Sequence, residues 1–131
     1  MMKTLCAVVA VLVACASNGA ADISGEWRVE GSFDAASVAK GVQQRADLVC
    51  AFTERGAALS GTCRPASGPE GVRVTGSVRD RDVEWQFEIA LAPDRKKETV
   101  IYRGRLDDEG TRIRGTFRIA DMRGEFSAER Q

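Results

Sequence analysis

From residue 22 onward the chain alternates. The run ISGEWRVE, residues 23–30, places an apolar residue or glycine at every odd position and a polar one at every even position. A period of two is the mark of a strand with one buried face. Further runs at 48–52, 59–63, 72–78, 83–91, 100–106, 113–119 and 122–128 follow the same rule. Between them lie turn residues, at Arg55-Gly56-Ala57, 65–71, 79–82, 93–97, 107–110 and Ala120-Asp121. Nearly all of these segments are short enough to join antiparallel neighbours. The pattern predicts an all-β domain, a single eight-stranded antiparallel up-and-down barrel.

Only 31–46 breaks the alternation. Asp34 is placed to cap a short helix between strands 1 and 2, with Ala35, Val38, Ala39 and Val42 on one face. Gly41 weakens that helix by about 1 kcal/mol relative to alanine. The expectation is a loop or short helix across one mouth of the barrel.

Turn positions predict register. With Gly56-Ala57 as a two-residue loop, Arg55 faces Ala58, Phe52 faces Gly61 and Cys50 faces Cys63. Glycine at the first loop position suits a type II′ turn. The same arithmetic pairs Gly76 with Trp85, Leu106 with Ile113, Phe117 with Gly124 and Gly115 with Phe126. Placing Leu91 opposite Val100 pairs Phe87 with Gly104. A glycine facing an aromatic, hairpin after hairpin, predicts a strongly coiled sheet, and eight such strands close so that the first pairs with the last.

The first twenty-one residues differ in kind. Lys3 is followed by TLCAVVAVLVACA, apolar but too short to span a bilayer, and then by the small residues SNGAA. This predicts a secretory signal peptide over 1–21, with the barrel domain over 22–131. A second reading stays open: Leu12-Val13-Ala14-Cys15 has the form of a lipobox, in which case the leader is 1–14 and Cys15 carries lipid as an outer-membrane lipoprotein. Either way the domain is expected to be exported, periplasmic or secreted. In such a compartment Cys50 and Cys63 are predicted to form a disulfide. Zinc would need ligands that are missing, since the chain has no histidine and no other cysteine in the mature part.

The inward positions, among them Val29, Leu48, Val74, Phe87, Val100 and Phe126, are aliphatic or aromatic, and Tyr102 alone is ionisable. A filled core is the favoured expectation. Any ligand would be apolar, with Trp27, Trp85 and Tyr102 as its polar handles. No nucleophile–base pair and no paired inward carboxylates are visible, so no enzyme activity and no cofactor is expected. A net charge of zero gives no reason to expect nucleic acid, and membrane contact is expected only through a lipid anchor. Arg103, Arg105, Arg112, Arg114, Arg118 and Arg123 face outward on the last three strands, with Arg105 opposite Arg114 and Arg118 opposite Arg123. Such a stripe suits an anionic partner, or is a solubilising surface neutralised by Glu84 and Glu125.

The succession ISGEW, LSGTC, VTGSV, VEWQF, YRGRL, IRGTF and GEFSA resembles the small secreted barrels of the avidin and lipocalin type. It is closer still to short bacterial secreted domains with one hairpin disulfide and no assigned activity. The resemblance covers 23–130 and implies architecture. It does not carry biotin binding, because avidins line their cavity with polar side chains and the matching positions here are apolar. ISGEW is also similar to the start of small periplasmic protease inhibitors, which implies a tail over 17–22 that enters a protease cleft, although the cysteine placement departs from that family. The expected function is thus a non-enzymatic envelope binding or structural module whose partner is an apolar small molecule or an envelope protein. The alternative is a periplasmic protease inhibitor.

Overall fold

Eight strands and one helical turn make up the computed structural model, which describes residues 22–40, 45–90 and 97–131. In chain order they are β1 (Gly25–Phe33), α1 (Ala35–Val38), β2 (Arg45–Arg55), β3 (Ala58–Pro65), β4 (Val72–Arg79), β5 (Asp82–Ala90), β6 (Lys97–Leu106), β7 (Arg112–Ile119) and β8 (Met122–Arg130). Each strand pairs antiparallel with its neighbours in sequence, and β8 pairs with β1 to close the barrel. Closure leaves no edge strand to template another chain. The leader, Cys15, Val42 and Leu91 lie outside the described residues.

Most of the register follows from the turns. Cys50 faces Cys63 and Phe52 faces Gly61; Gly76 faces Trp85; Leu106 faces Ile113; Phe117 faces Gly124 and Gly115 faces Phe126. Gly56 supplies the positive φ of 63° that the first loop position needs. Cys50 and Cys63 form a fully buried disulfide across 13 residues of sequence. Closing a loop of that size stabilises the fold by about 3 kcal/mol on the chain-entropy model. It also holds β2 and β3 against a slip that would turn every side chain over.

The β5–β6 pairing departs from expectation. Phe87 faces Val100, and Gly104 faces Val83 on one side and Gly115 on the other. The displacement is four residues, an even number, so the inward face is unchanged while the partners differ. Two adjacent glycines then leave room for one ring: a Cβ on Gly104 would lie 2.9 Å from the Phe126 ring. Trp85 and Tyr102 become direct partners, their rings parallel within 8° and 5.1 Å apart.

Between β1 and β2 the expected short helix is present, while the strands reach further than the alternation predicts, β1 to Phe33 and β2 from Arg45. Asp34 caps the helix, accepting a hydrogen bond from Ser37 N at 2.8 Å. The buried residue of α1 is Ser37, whereas Ala35, Val38 and Ala39 are exposed. The cause is backbone bookkeeping. The β8–β1 ladder ends at Gly124, leaving the amide and carbonyl of Arg123 to be satisfied. Ser37 Oγ accepts from Arg123 N at 2.9 Å, and Asp34 N donates to Arg123 O at 2.9 Å. The helical turn therefore docks by its polar groups along the start of β8.

The two ends of the barrel differ. At the base, where β1 begins and β8 ends, Ile23 turns inward and is wholly buried. Its amide donates to Glu54 Oε1 at 2.8 Å, and its carbonyl accepts from Trp27 Nε1 at 2.9 Å. Arg130 closes this end from outside, donating to the carbonyls of Asp22, Ser24 and Gly110 at 2.8, 2.9 and 3.2 Å. Its guanidinium stands 4.6 Å from the centroid of the Trp27 ring. Above this plug Phe52, Trp85, Tyr102 and Phe126 form an aromatic layer with centroid separations of 5.0 to 5.3 Å.

Candidate functional site

A row of cross-strand partners, Trp85–Tyr102–Phe117, crosses β5, β6 and β7 at mid-height. The rings stack successively at 5.1 and 5.2 Å. Below the row the barrel is packed. Above it the inward residues are shorter, Leu48, Val72, Ile89, Val100 and Ile119, and they surround an open apolar cup of about 520 Å³. The expectation of a filled interior holds for the lower barrel and fails here. Leu48, Val72, Ile89 and Phe33 are only partly buried against the core, which marks them as the upper wall.

The floor is aromatic. Tyr102, Phe117 and Phe87 line it, with Phe33 standing edge-on to Phe117 at 4.9 Å. The Cys50–Cys63 staple contributes Cys63 to the wall, so the disulfide that sets the register also stiffens one side of the cup. Among the described lining residues, only Tyr102 and Glu70 carry side-chain oxygen. Glu70 is exposed and sits at the rim, while Tyr102 is 2% exposed and lies at the bottom. Burial pushes the Tyr102 phenol well above its ordinary range, so it remains a neutral hydrogen-bond donor at physiological pH.

Of the three aromatic residues expected as ligand contacts, Tyr102 lines the cup. Trp85 lies directly behind it in the packed layer, and Trp27 belongs to the base plug at the opposite end. Phe33 and Glu70 were not anticipated. Phe33 shares the odd parity of Trp27 and Val29, which marks it as inward once β1 is carried beyond residue 30. Glu70 sits in the 65–71 turn, where no periodicity reports direction.

The arginine stripe is an outer surface with mixed neutralisation. Arg105 faces Arg114, and Arg118 faces Arg123, as expected. Arg103 pairs with Glu84 at 3.4 Å, Arg105 with Asp82 at 3.0 Å and Arg112 with Glu129 at 2.6 Å. Glu125 forms no ion pair within 4.0 Å among the described residues; it lines a shallow groove of about 290 Å³ with Asp34, Thr116, Arg118 and Arg123. These ion pairs are solvent-exposed and contribute little each.

No family model matches the chain. The curated proteins contain no match to it either.

Proposed function

We propose that the chain is a non-enzymatic binding protein of the extracytoplasmic space that holds one apolar small molecule in the cup. The observation that carries this reading is the cup itself. A concave site of about 520 Å³ with aromatic and aliphatic walls falls within the ~300–1,000 Å³ span of small-molecule sites. Its few polar groups orient a ligand; they do not form a nucleophile with its base. Export is supported by the buried Cys50–Cys63 disulfide, a bond that persists in oxidising compartments, and by the leader-like residues 1–21.

The reading is tested by titrating the protein with N-phenyl-1-naphthylamine while exciting tryptophan. Saturable one-to-one binding in the micromolar range is expected. Val72→Trp, which narrows the mouth, should lower affinity at least ~10-fold, whereas Thr75→Trp on the outer wall should leave it within ~2-fold. Absence of saturable binding, or equal effects of the two variants, overturns the proposal.

The inhibitor reading keeps one support. Asp22 and Ser24 are held by Arg130, so any tail preceding Asp22 would leave a fixed base. It requires a mature chain that retains residues 17–22 and loses inhibition of a co-secreted protease when they are deleted, and such a chain that inhibits none ends it.

A further inference from the structure

Resting on the small-molecule reading, we infer that the cup selects an uncharged, planar ligand that presents one acceptor oxygen to the Tyr102 hydroxyl. The floor supplies the first part of the argument. Tyr102 and Phe117 lie parallel within 17°, and Phe87 is inclined to Tyr102 by 30° at 6.0 Å. Trp85 and Phe117 cover the two faces of Tyr102, so the cup meets the edge of that ring, and a ring edge pairs best with the face of a flat π system.

The hydroxyl supplies the second part. Tyr102 is buried to within 2% of its surface, and none of the side-chain hydrogen bonds among the described residues reaches its oxygen. Burial alone raises its proton affinity, with no hydrogen-bonding contribution. Its oxygen is nevertheless not sealed in the core, since among the described residues Trp85 Nε1 is the one fully enclosed side-chain polar atom without a partner. Tyr102 also lines the cup, so its free donor opens there. A ligand that excludes solvent from this hydroxyl and offers no acceptor strands the donor, which is a strong basis for rejection.

Charge supplies the third part. Among the described lining residues nothing at the floor compensates an ion, and the one charged side chain, Glu70, stands at the rim. A ketone, quinone or ether oxygen satisfies the donor without introducing charge, and the shared chemistry is the neutral acceptor.

The test compares 2-acetylnaphthalene with 2-isopropenylnaphthalene, in which a CH2 group replaces the carbonyl oxygen. Tyr102→Phe should lower affinity for the acetyl probe at least ~5-fold and leave the isopropenyl probe within ~2-fold, the form of cycle that isolates one contact. The infrared carbonyl band of the bound acetyl probe should shift to lower frequency in the natural protein and lose that shift in Tyr102→Phe. Both probes binding with no effect of the variant and no band shift overturns the acceptor inference and leaves the cup reading standing. Failure of both probes to bind overturns both. If Tyr102→Phe does not fold, an unshifted carbonyl band in the natural protein is sufficient to refute the inference.

Discussion

The two tryptophans are equally buried, at 0% exposure, yet their loss should cost very different amounts. Trp→Phe removes the same atoms at either site, so lost packing and residual cavity, about 1–2 kcal/mol, are common to both. The difference lies at Nε1. Trp27 Nε1 donates to Ile23 O at 2.9 Å, and that carbonyl is enclosed. Trp27→Phe leaves it unsatisfied, adding about 1–3 kcal/mol. The cation–π contact with Arg130 weakens as well, by about 0.5 kcal/mol. Trp85 Nε1 is buried with no partner among the described residues, so Trp85→Phe removes an orphaned donor and recovers much of the packing loss. We expect destabilisation of about 3–5 kcal/mol for Trp27→Phe and under about 1 kcal/mol for Trp85→Phe. Urea unfolding followed by far-ultraviolet circular dichroism measures both. Because the chain has two tryptophans, the survivor in each variant gives an independent fluorescence transition. Equal losses within about 0.5 kcal/mol, or a larger loss for Trp85→Phe, would refute the reasoning.

Two other outcomes follow from the geometry. A Cβ on Gly115 would fall 1.8 Å from Arg103 O, so Gly115→Ala must part β6 from β7 and should cost about 2–4 kcal/mol in lost ladder bonds. Gly68→Ala meets nothing within 4 Å and should be neutral or stabilising by up to about 1 kcal/mol; similar midpoints for the two variants would show that the strands do not approach so closely. For pH, hydrogen bonds from Ser37 hold the Asp34 carboxyl below its ordinary range, and the hydrogen bond and charge of Lys40 do the same for Asp121. Their contribution is complete above the unfolded value near ~4 and disappears as pH falls through the lower folded values. With no histidine in the chain, stability should be flat from about pH 5 to 8. Tyr102 works in the opposite sense, because its raised folded value gives a contribution present below about pH 10 and lost above it. It is the only tyrosine, so absorbance at about 295 nm should stay flat until the barrel unfolds, and a folded protein that titrates near ~10 contradicts the burial.

Much of the fold was legible because period two and tight turns are local properties. Two-residue loops at Gly56-Ala57, Asp80-Arg81 and Ala120-Asp121 leave a single register for their hairpins, and each of those registers is found. The β5–β6 connection is longer, and sliding it by four residues keeps every side chain on its face. Alternation is blind to an even shift, so the Trp85–Tyr102 partnership could not be read from it. The base plug was hidden for a related reason. Ile23 has the parity of a strand residue, but it lies ahead of β1 and turns into the core. The cup was illegible because the inward residues above and below the aromatic row share one hydrophobic alphabet. Whether they meet in the middle depends on side-chain length against barrel radius, and no single position carries that.

The size of the cup bears on what can fill it. Dry apolar space destabilises by roughly 24 cal/mol per Å³, so 520 Å³ kept empty and sealed would cost on the order of 12 kcal/mol. That is as large as the whole stability of an ordinary domain, about 5–15 kcal/mol. A space of this size is therefore not kept dry and sealed, and Leu48, Val72, Ile89 and Phe33 on its wall are only partly buried. Water there has apolar neighbours on nearly every side, with Tyr102 and Glu70 as the side-chain oxygens within reach. Its displacement by an apolar body is favourable at about 25 cal/mol per Å² of apolar surface covered. The base needs no such occupant, because Ile23 and Arg130 already fill and cover it. One end of the barrel is thus closed by its own chain, whereas at the other the described residues leave the apolar cup open.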